Sequence, residues 1–228
     1  MIPELLWRCP LCATNDVLVH NTRLFCPDLV GCGHCRARWS VRRVPGDDYY
    51  LRLIRQSEIL DTVNEGIEQP LKAWYDRMKS TLQLVPISDP AAPLDPDEVL
   101  YLASKDMDLV AEETDPRFFP GEEGGGSLRP KEEVRAQSVG PGRLFLTNRR
   151  LIWQGVVREM GEQPWVASFP LEEIQMATPF FGVVLNVGNR LYMLYFPEES
   201  MLKWVTYLGQ VSEDILVDRG YQIKTAPY

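Results

Sequence analysis

The sequence predicts a mainly β protein, α+β overall, in which a small N-terminal unit and a larger β unit are joined by a helical connector. Three observations carry this prediction. Two pairs of cysteines near the N-terminus enclose short apolar segments. The second half of the chain alternates short apolar runs with turn residues, as antiparallel strands do. An amphipathic stretch at residues 198–218 indicates a C-terminal helix that caps the second unit.

The paired cysteines have the spacing of a metal site. Cys9 and Cys12 form one C-x-x-C pair, Cys32 and Cys35 form a second, and nineteen residues separate the two pairs. Each tight turn of this kind can present two thiolates to one tetrahedral Zn²⁺ at about 2.3 Å. We therefore expect these four cysteines to hold one structural Zn²⁺. Four thiolate ligands leave such an ion no open coordination position.

The order of knuckle, hairpin, knuckle and strand in residues 1–44 resembles a zinc ribbon. In many zinc ribbons the third ligand directly follows a short apolar strand, and Cys26 follows an apolar pair in this way. The alternative ligand set therefore contains Cys26 in place of Cys32. We prefer Cys32, because Cys32 and Cys35 complete a knuckle by themselves.

Charge is distributed unevenly along the chain. The 228 residues carry a formal net charge of −8, but residues 1–46 hold six arginines against three acidic residues, or +3, which leaves −11 for the remainder. A basic strip on the ribbon consists of Arg36, Arg38, Trp39, Arg42 and Arg43. Such a strip is a candidate contact for nucleic-acid phosphates. The sequence pI near 4.9 opposes that contact at long range, so a solvated face or a protein-docking face is the simpler interpretation.

The middle of the chain is expected to be a connector. Turn residues 45–48 lie between two strand-like runs that should extend the ribbon sheet. An amphipathic helix of about four turns follows Pro70, because apolar side chains recur at helical spacing from Leu71 to Leu82. Four prolines then stiffen residues 86–97 as an extended linker. The predicted domains are residues 1–56, 57–97 and 98–228.

The second domain has the pattern of a series of antiparallel strands. Apolar runs predict strands at residues 98–103, 108–113, 133–139, 144–147, 151–157, 165–169, 174–177, 182–187 and 191–196. A Gly-Asn pair at 188–189 marks a hairpin turn between the last two. The acidic, glycine-rich segment 114–131 interrupts the series and is expected to be a mobile loop.

One hairpin of this domain carries a family resemblance. Its turn is Thr-Asn-Arg-Arg at residues 147–150, and a Pro-Leu-Glu-Glu-Ile step follows at residues 170–174. This combination resembles the core of GRAM domains and bacterial pleckstrin-homology-like domains, most sharply over residues 143–196. The resemblance implies a strongly bent β-sandwich or barrel with a C-terminal helix at one end. Domains of that family bind lipid headgroups or proteins and are not catalysts.

The expected functions follow from these modules. No catalytic motif is present, and both histidines, His20 and His34, fall within the ribbon, so we expect neither enzymatic activity nor a small-molecule substrate. We expect a non-catalytic adaptor or scaffold that binds protein partners through the zinc ribbon and the second domain.

The alternative is a peripheral membrane protein in which arginines bind anionic phospholipid headgroups. The candidate lipid contacts are Arg143, Arg149, Arg150 and Arg158. The turn arginines would instead serve the hairpin itself if they paired with Glu172 or Glu173. Nucleic-acid contact by the basic strip is the third function considered.

Composition also bears on cellular location. No apolar run of about 18 residues occurs, and the N-terminus lacks the basic start and apolar stretch of a signal peptide. Five cysteines clustered near one end suit a metal site in a reducing compartment better than a disulfide framework. We therefore expect a cytoplasmic protein, peripheral at the membrane under the lipid alternative.

Overall fold

The computed structural model describes residues 2–22, 28–45, 48–55, 65–112, 115, 117–118, 136–157 and 164–225. The chain divides into two units, Met1–Gln83 and Leu84–Tyr228. Both are built mainly from antiparallel strands. Among the described residues, no helix combines the length and the apolar character needed to cross a membrane.

The first unit is one antiparallel sheet with a helix packed on it. Its elements are α1 (Ile2–Leu5), β1 (Leu18–Asn21), β2 (Leu29–Cys32), β3 (Arg38–Arg43), β4 (Tyr49–Arg55), β5 (Glu68–Pro70) and α2 (Leu71–Ser80). The strands pair in sequential order from β1 to β5. The hairpin expected around residues 45–48 is present, since β3 and β4 pair with Arg43 opposite Tyr49.

The core of this unit lies between the sheet and α2. Side chains alternate along a strand, so Trp39, Leu51 and Leu53 share one face of the sheet and are buried. Trp74 of α2 meets Trp39 edge-on at 5.8 Å between ring centroids and donates its Nε1–H to the carbonyl oxygen of Leu51 at 3.0 Å. Met78, one turn later, is fully buried. Helix α2 therefore completes the core of the first unit and is not a free connector.

Two expectations are corrected by this packing. Trp39 was expected on a basic surface but is only 2% exposed, because the alternation of β3 turns it inward against α2. Helix α2 has 10 residues, fewer than the four turns expected. It ends at Ser80, and the hydroxyl of Thr81 donates to the carbonyl oxygen of Met78. The expected domain boundary at residues 56–57 lies outside the described residues.

The second unit is a curled half-barrel sheet with a C-terminal helix, which confirms the predicted strand-rich unit and its terminal helix. Its elements are β6 (Leu100–Ala103), β7 (Met107–Glu112), β8 (Ala136–Thr147), β9 (Arg150–Val156), β10 (Pro164–Pro170), β11 (Ile174–Pro179), β12 (Val183–Val187), β13 (Arg190–Tyr195), α3 (Met201–Val211) and β14 (Lys224–Thr225). The strand order is β10-β9-β8-β7-β13-β12-β11-β14, and β6 pairs with β8. Strand β8 is continuous from Ala136, where two shorter strands were expected.

The C-terminal helix supplies much of the core of this unit. Ser200 precedes its first turn, and the Ser200 hydroxyl accepts the Lys203 N–H at 3.3 Å. The helical path continues as a wider π turn over Ser212–Leu216 and a 3-10 turn over Val217–Arg219. It ends at Gly220, whose φ of 81° glycine adopts without strain. The buried apolar and aromatic side chains of α3 are Leu202, Trp204, Val205, Tyr207, Leu208 and Val211.

The proline-rich segment packs on the second unit and does not form a free linker. Ile87 donates its N–H to the carbonyl oxygen of Leu100 at 2.8 Å. The carboxylate of Asp89 contacts the guanidinium of Arg143 at 2.6 Å. Ala92 packs against a small buried cluster that includes Leu100. The first and second units therefore divide before this segment, between Gln83 and Leu84.

The segment expected to be a mobile loop is anchored where the structure describes it. Phe118 is fully buried and lies edge-on to Trp153 and Tyr192. Asp115 is also fully buried and accepts a hydrogen bond from the Tyr192 hydroxyl at 2.5 Å. These contacts fix the start of the segment against the sheet. Most of residues 114–131 lie outside the described residues.

Candidate functional site

Both C-x-x-C turns adopt the same backbone conformation. In the first, Ala13 donates its N–H to the carbonyl oxygen of Cys9 at 2.9 Å and has a φ of 55°. In the second, Arg36 donates its N–H to the carbonyl oxygen of Cys32 at 3.0 Å and has a φ of 60°. The residue four positions after the first cysteine thus turns the chain through the left-handed region in each case. The two turns are structural repeats that fold their cysteine pairs toward one point.

The four sulfur atoms have the spacing of a tetrahedral metal site. The Sγ atoms of Cys9, Cys12, Cys32 and Cys35 all lie within 4.8 Å of one another. Cys9 and Cys35 are 3.7 Å apart at Sγ, and so are Cys12 and Cys32. Tetrahedral coordination with metal–sulfur bonds of about 2.3 Å requires sulfur atoms about 3.8 Å apart. The cluster is therefore positioned to hold a metal ion, as the sequence predicted.

Burial and hydrogen bonding act differently on the thiols of this cluster. Burial raises the pKa of Cys9 far above its ordinary range and raises the pKa of Cys32 to about 11. Burial opposes ionisation of Cys12 too, but hydrogen bonds with Thr14 and His34 outweigh it and lower the pKa of Cys12 to about 6. The thiols of Cys9 and Cys32 therefore ionise readily only beside a cation. A bound metal ion provides that positive charge.

Two further residues of the ribbon bear on the ligand set. His34 is exposed, and its Nδ1 lies 3.3 Å from the Thr14 hydroxyl, so it supports the cluster from outside the four sulfur atoms. Cys26, the alternative third ligand, lies outside the described residues. The cluster contains Cys32, the third ligand that we preferred from the sequence.

The arginines of the basic strip in the first unit are exposed, but its tryptophan is not. Arg42 is exposed and binds Glu68, with Nε at 2.8 Å and Nη2 at 2.5 Å from Oε1, while its guanidinium lies over the ring of Tyr50. Arg38 is exposed on the same strand. The other members of the predicted strip are Arg36 and Arg43, both exposed, and Trp39, which is buried. No exposed tryptophan therefore accompanies these arginines.

Two of the four candidate lipid contacts are paired within the second unit. Arg143 donates from Nη2 to Asp89 at 2.6 Å and from Nε to the carbonyl oxygen of Ser104 at 3.0 Å. Arg150 donates from Nε and Nη2 to the two carboxylate oxygens of Glu98 at 3.0 and 2.9 Å. The hydrogen bonds with Glu98, set against desolvation, raise the pKa of Arg150 further. Arg150 therefore pairs with Glu98, and not with the glutamates at 172 and 173.

The remaining two candidates differ from these. Arg149 is exposed at the turn between β8 and β9. Arg158 lies outside the described residues. The three described candidates thus do not form one cluster of free cations, because Arg143 and Arg150 are neutralised by carboxylates of their own unit.

An exposed aromatic pair was missed in the sequence. Phe180 and Phe181 connect β11 to β12 and are 64% and 79% exposed, with ring centroids 4.8 Å apart. Phe181 has a φ of 50°, a backbone conformation that bulky residues rarely adopt. The available signal was a Pro-Phe-Phe-Gly turn between two apolar runs, where polar residues are usual.

Comparison of the chain with models of protein families, with curated proteins and with solved structures finds no significant match.

Proposed function

We propose that this protein is a non-catalytic adaptor or scaffold in which a zinc ribbon and a pleckstrin-homology-like unit both bind protein partners. The proposal has three parts: the identity of the metal, the kinship of the second unit and the class of ligand. Each rests on a different set of residues.

Zinc is the metal that the ligand set favours. Four thiolates at tetrahedral spacing are typical of structural Zn²⁺ sites, and Cys9, Cys32 and Cys35 are buried. Such a set leaves no position for water or substrate. The ion would hold the two knuckles of the first unit together and contribute to its folding free energy.

The kinship of the second unit to GRAM and pleckstrin-homology-like domains is supported by its hairpin. The Thr147 hydroxyl accepts the N–H groups of Arg149 and Arg150, which closes the turn that carries the resemblance. Asn148 exchanges hydrogen bonds with the main chain of Val99. The turn motif thus has a structural role in joining β8 and β9 to the chain before β6. The resemblance implies a bent β-sandwich or barrel with a C-terminal helix, and the curled sheet followed by α3 supports this kinship in its general arrangement.

The observation that carries the adaptor function is the exposed Phe180–Phe181 tip. The Phe180 N–H donates to the carbonyl oxygen of Gly182 at 2.7 Å, which tightens the turn. A Cβ atom at Gly182 would lie 2.6 Å from the carbonyl oxygen of Leu194, so the turn packs closely on β13. Two aromatic rings are therefore held in solvent by a closely packed backbone. Exposed aromatic residues on such a support are frequent anchors of protein interfaces.

The apolar surface extends from this tip along β13. Val183, two residues after Phe181, pairs with Leu194 of β13. Tyr195, which follows Leu194, is 50% exposed. Leu191, on the same face of β13, is also 50% exposed. An apolar strip beside two phenylalanine rings is larger than isolated surface residues and suits a protein contact.

Lipid binding is the second candidate, and the same tip favours it. Two exposed phenylalanines could enter the interfacial layer of a bilayer, with Arg149 as an exposed cation in the same unit. Anionic membranes attract basic surfaces at about 1 kcal/mol per residue. The internal pairing of Arg143 and Arg150 reduces that attraction, and for this reason we prefer a protein ligand.

Affinity isolation with the full chain tests the adaptor function. The bait is compared with Phe180→Ser/Phe181→Ser and with Val217→Ser/Tyr221→Ser, a matched pair of exposed apolar residues at 53% and 47%. We expect the wild type and the matched control to retain a stoichiometric partner at physiological salt and the tip variant to lose it. A bait that elutes alone, or a partner that ignores the tip, contradicts the proposal.

Co-sedimentation with phosphatidylserine vesicles separates the lipid alternative. Binding to vesicles that is lost in the tip variant and in Arg149→Glu would favour the lipid function over the adaptor function. Absence of co-sedimentation at low salt would contradict the lipid-binding function.

A further inference from the structure

One face of the five-stranded sheet carries three arginines that surround a serine. Residues alternate between the two faces of a strand, and Trp39, Leu51 and Leu53 are buried on the α2 side. The opposite side therefore presents Arg38, Ser40 and Arg42 from β3 together with Tyr50 and Arg52 from β4, and a register shift beside Arg38 places the exposed Arg55 opposite it. We call Arg38, Arg42 and Arg52 the arginine face. Arg52 was not part of the basic strip predicted from the sequence.

The strand register places the three arginines close together. Ser40 lies directly opposite Arg52, and cross-strand neighbours have Cβ atoms about 5 Å apart. Arg38 and Arg42 lie two residues before and after Ser40, at about 7 Å along the same strand. Gly31, opposite Arg38, would meet nothing within 4 Å if it carried a Cβ. The sheet surface on the β2 side of Arg38 is thus open, so an extended chain could approach Arg38 closely.

The arginine face already binds one carboxylate of its own chain. Glu68 on β5 lies opposite Arg52 and receives the Nε and Nη2 groups of Arg42 at 2.8 and 2.5 Å. Arg38 and Arg52 are exposed and, within the part of the chain that the structure describes, form no ion pair. Two guanidinium groups of the three therefore remain available to an incoming anion.

We propose that the arginine face is the docking site for an extended acidic segment of a partner protein. The inference deepens the proposed adaptor function and rests on it for the protein nature of the ligand. Carboxylates of the segment pair with Arg38 and Arg52, which match the planar geometry of a carboxylate through two parallel N–H groups. Glu68 occupies Arg42 in the free protein and competes with the segment there.

Charge complementarity selects this ligand over nucleic acid. Single-stranded nucleic acid binds to sheets through basic groups together with exposed aromatic rings on which bases stack. Among the residues of this face that the structure describes, Tyr50 is the aromatic one, and its ring is covered by the guanidinium of Arg42 at 5.2 Å. The net charge of −8 also repels a long polyanion, whereas a short acidic segment feels chiefly the nearby arginines.

Fluorescence anisotropy with two defined probes tests the proposal on the full zinc-loaded chain. One probe is a labelled peptide of alternating glutamate and serine, about twelve residues long so that it spans the sheet. The other is a labelled oligothymidylate of equal charge. We expect the peptide to bind at about 50 mM salt and to weaken toward about 200 mM, as an exposed charge contact does.

Matched variants assign the binding to this face. Arg52→Glu should weaken peptide binding about tenfold, while Lys79→Glu, the same charge change on the exposed side of α2, should leave it within about twofold. Glu68→Gln should strengthen binding two- to threefold, roughly, by releasing Arg42, whereas Asp76→Asn on α2 should not. Zinc stoichiometry and circular dichroism check that each variant is folded.

The outcomes are distinct. Loss of binding with Arg52→Glu alone among the charge-reversal variants supports the docking site. An equal effect of Lys79→Glu, no peptide binding at either salt concentration, or tighter Arg52-dependent binding of the oligothymidylate would each overturn it. None of these results depends on the Phe180–Phe181 tip. The proposed adaptor function is tested separately, by affinity isolation with the tip variant.

Discussion

The guanidinium of Arg150 and the carboxylate of Glu98 form a two-point contact, with Nε 3.0 Å from Oε1 and Nη2 2.9 Å from Oε2. The side chain of Glu98 is fully buried in this contact. The Thr147 hydroxyl donates to the same carboxylate at 2.7 Å. The hairpin between β8 and β9 is therefore fastened to the chain before β6 by a buried ionic group, which gives this polar turn a structural role in the unit.

Replacing Glu98 with Gln should lower the free energy of unfolding of the second unit by about 2 kcal/mol at neutral pH, because it leaves Arg150 without its buried carboxylate. Burial opposes ionisation of Glu98, but hydrogen bonds from Arg150, the Asp95 N–H and Thr147 outweigh it and lower its pKa. A carboxyl group with a lowered folded pKa stabilises the fold above the ordinary glutamate pKa of about 4.3. That contribution is lost as the pH falls through the lowered value.

Urea denaturation across the acidic range measures this effect, followed by hydrogen exchange of the β8 and β9 amides. Wild type and Glu98→Gln should differ most near neutral pH and converge in acid. Glu213→Gln, which removes an exposed carboxylate of the same unit, should change little at any pH. A constant difference between wild type and Glu98→Gln down to about pH 3 would show that the ionised form of Glu98 contributes nothing.

The sequence identified this hairpin but not its partner. The two strands and the polar turn follow from alternating apolar residues, which are local signals. Glu98 and Arg150 are 52 positions apart, and only the register of β6 on β8 brings them together. The sequence instead suggested nearby glutamates as partners of the turn arginines. Long-range pairing of charges depends on the closed sheet, which local periodicity does not specify.

A second consequence of the sheet concerns two glycines that lie opposite each other. Gly142 pairs with Gly155, and a Cβ at Gly142 would lie 2.6 Å from both the Gln154 carbonyl oxygen and the Nε1 of Trp153. Gly142→Ala should therefore destabilise the second unit by about 1–3 kcal/mol, because the buried indole cannot move away. Thermal unfolding followed by near-ultraviolet circular dichroism measures the change.

Gly209→Ala in α3 is the matched control for Gly142→Ala. Its added methyl group would meet Thr225 at ordinary contact distances of 3.5 and 3.6 Å. Alanine also favours a helix over glycine by about 0.5–1 kcal/mol. This variant should be neutral or slightly stabilising, and equal destabilisation by both variants would contradict the packing argument.

Phe181 should lower the stability of the second unit while it strengthens partner binding. Its φ of 50° strains an L residue, and asparagine tolerates this conformation better. Phe181→Asn should raise the free energy of unfolding of the second unit by about 0.5–1 kcal/mol while it weakens partner capture. Urea denaturation and the affinity isolation described above measure the two effects.

Phe180→Asn provides the comparison, since Phe180 is exposed but does not have a positive φ. It should weaken capture without raising stability. If both substitutions change stability equally, the backbone at Phe181 is not the source of the gain.

The metal ligands can be separated from the remaining cysteine by substitution. Cys9→Ser should abolish binding of one metal ion per chain, because three thiolates no longer complete the tetrahedron. Cys26→Ser should retain the ion. Native mass spectrometry of the two variants gives the stoichiometry directly. Retention in Cys9→Ser, or loss in Cys26→Ser, would require a different ligand set.

The metal cluster was the most predictable part of the molecule, because two C-x-x-C pairs specify their own turns. The surroundings were less predictable. Trp39 seemed to belong to the basic strip, since sequence proximity to arginines does not reveal which face of a strand is buried. Helix α2 seemed to be a connector, because the sequence shows that the helix has an apolar side but not which surface that side packs against. The contact between Trp74 and Trp39 answers both points.

X-ray absorption at the zinc edge of the purified full chain tests the central claim most directly. A structural zinc held by Cys9, Cys12, Cys32 and Cys35 predicts one zinc per chain, surrounded by four sulfur atoms at about 2.3 Å. A shell that contains nitrogen or oxygen, or a chain purified under reducing conditions that binds no zinc when zinc is supplied, would contradict it.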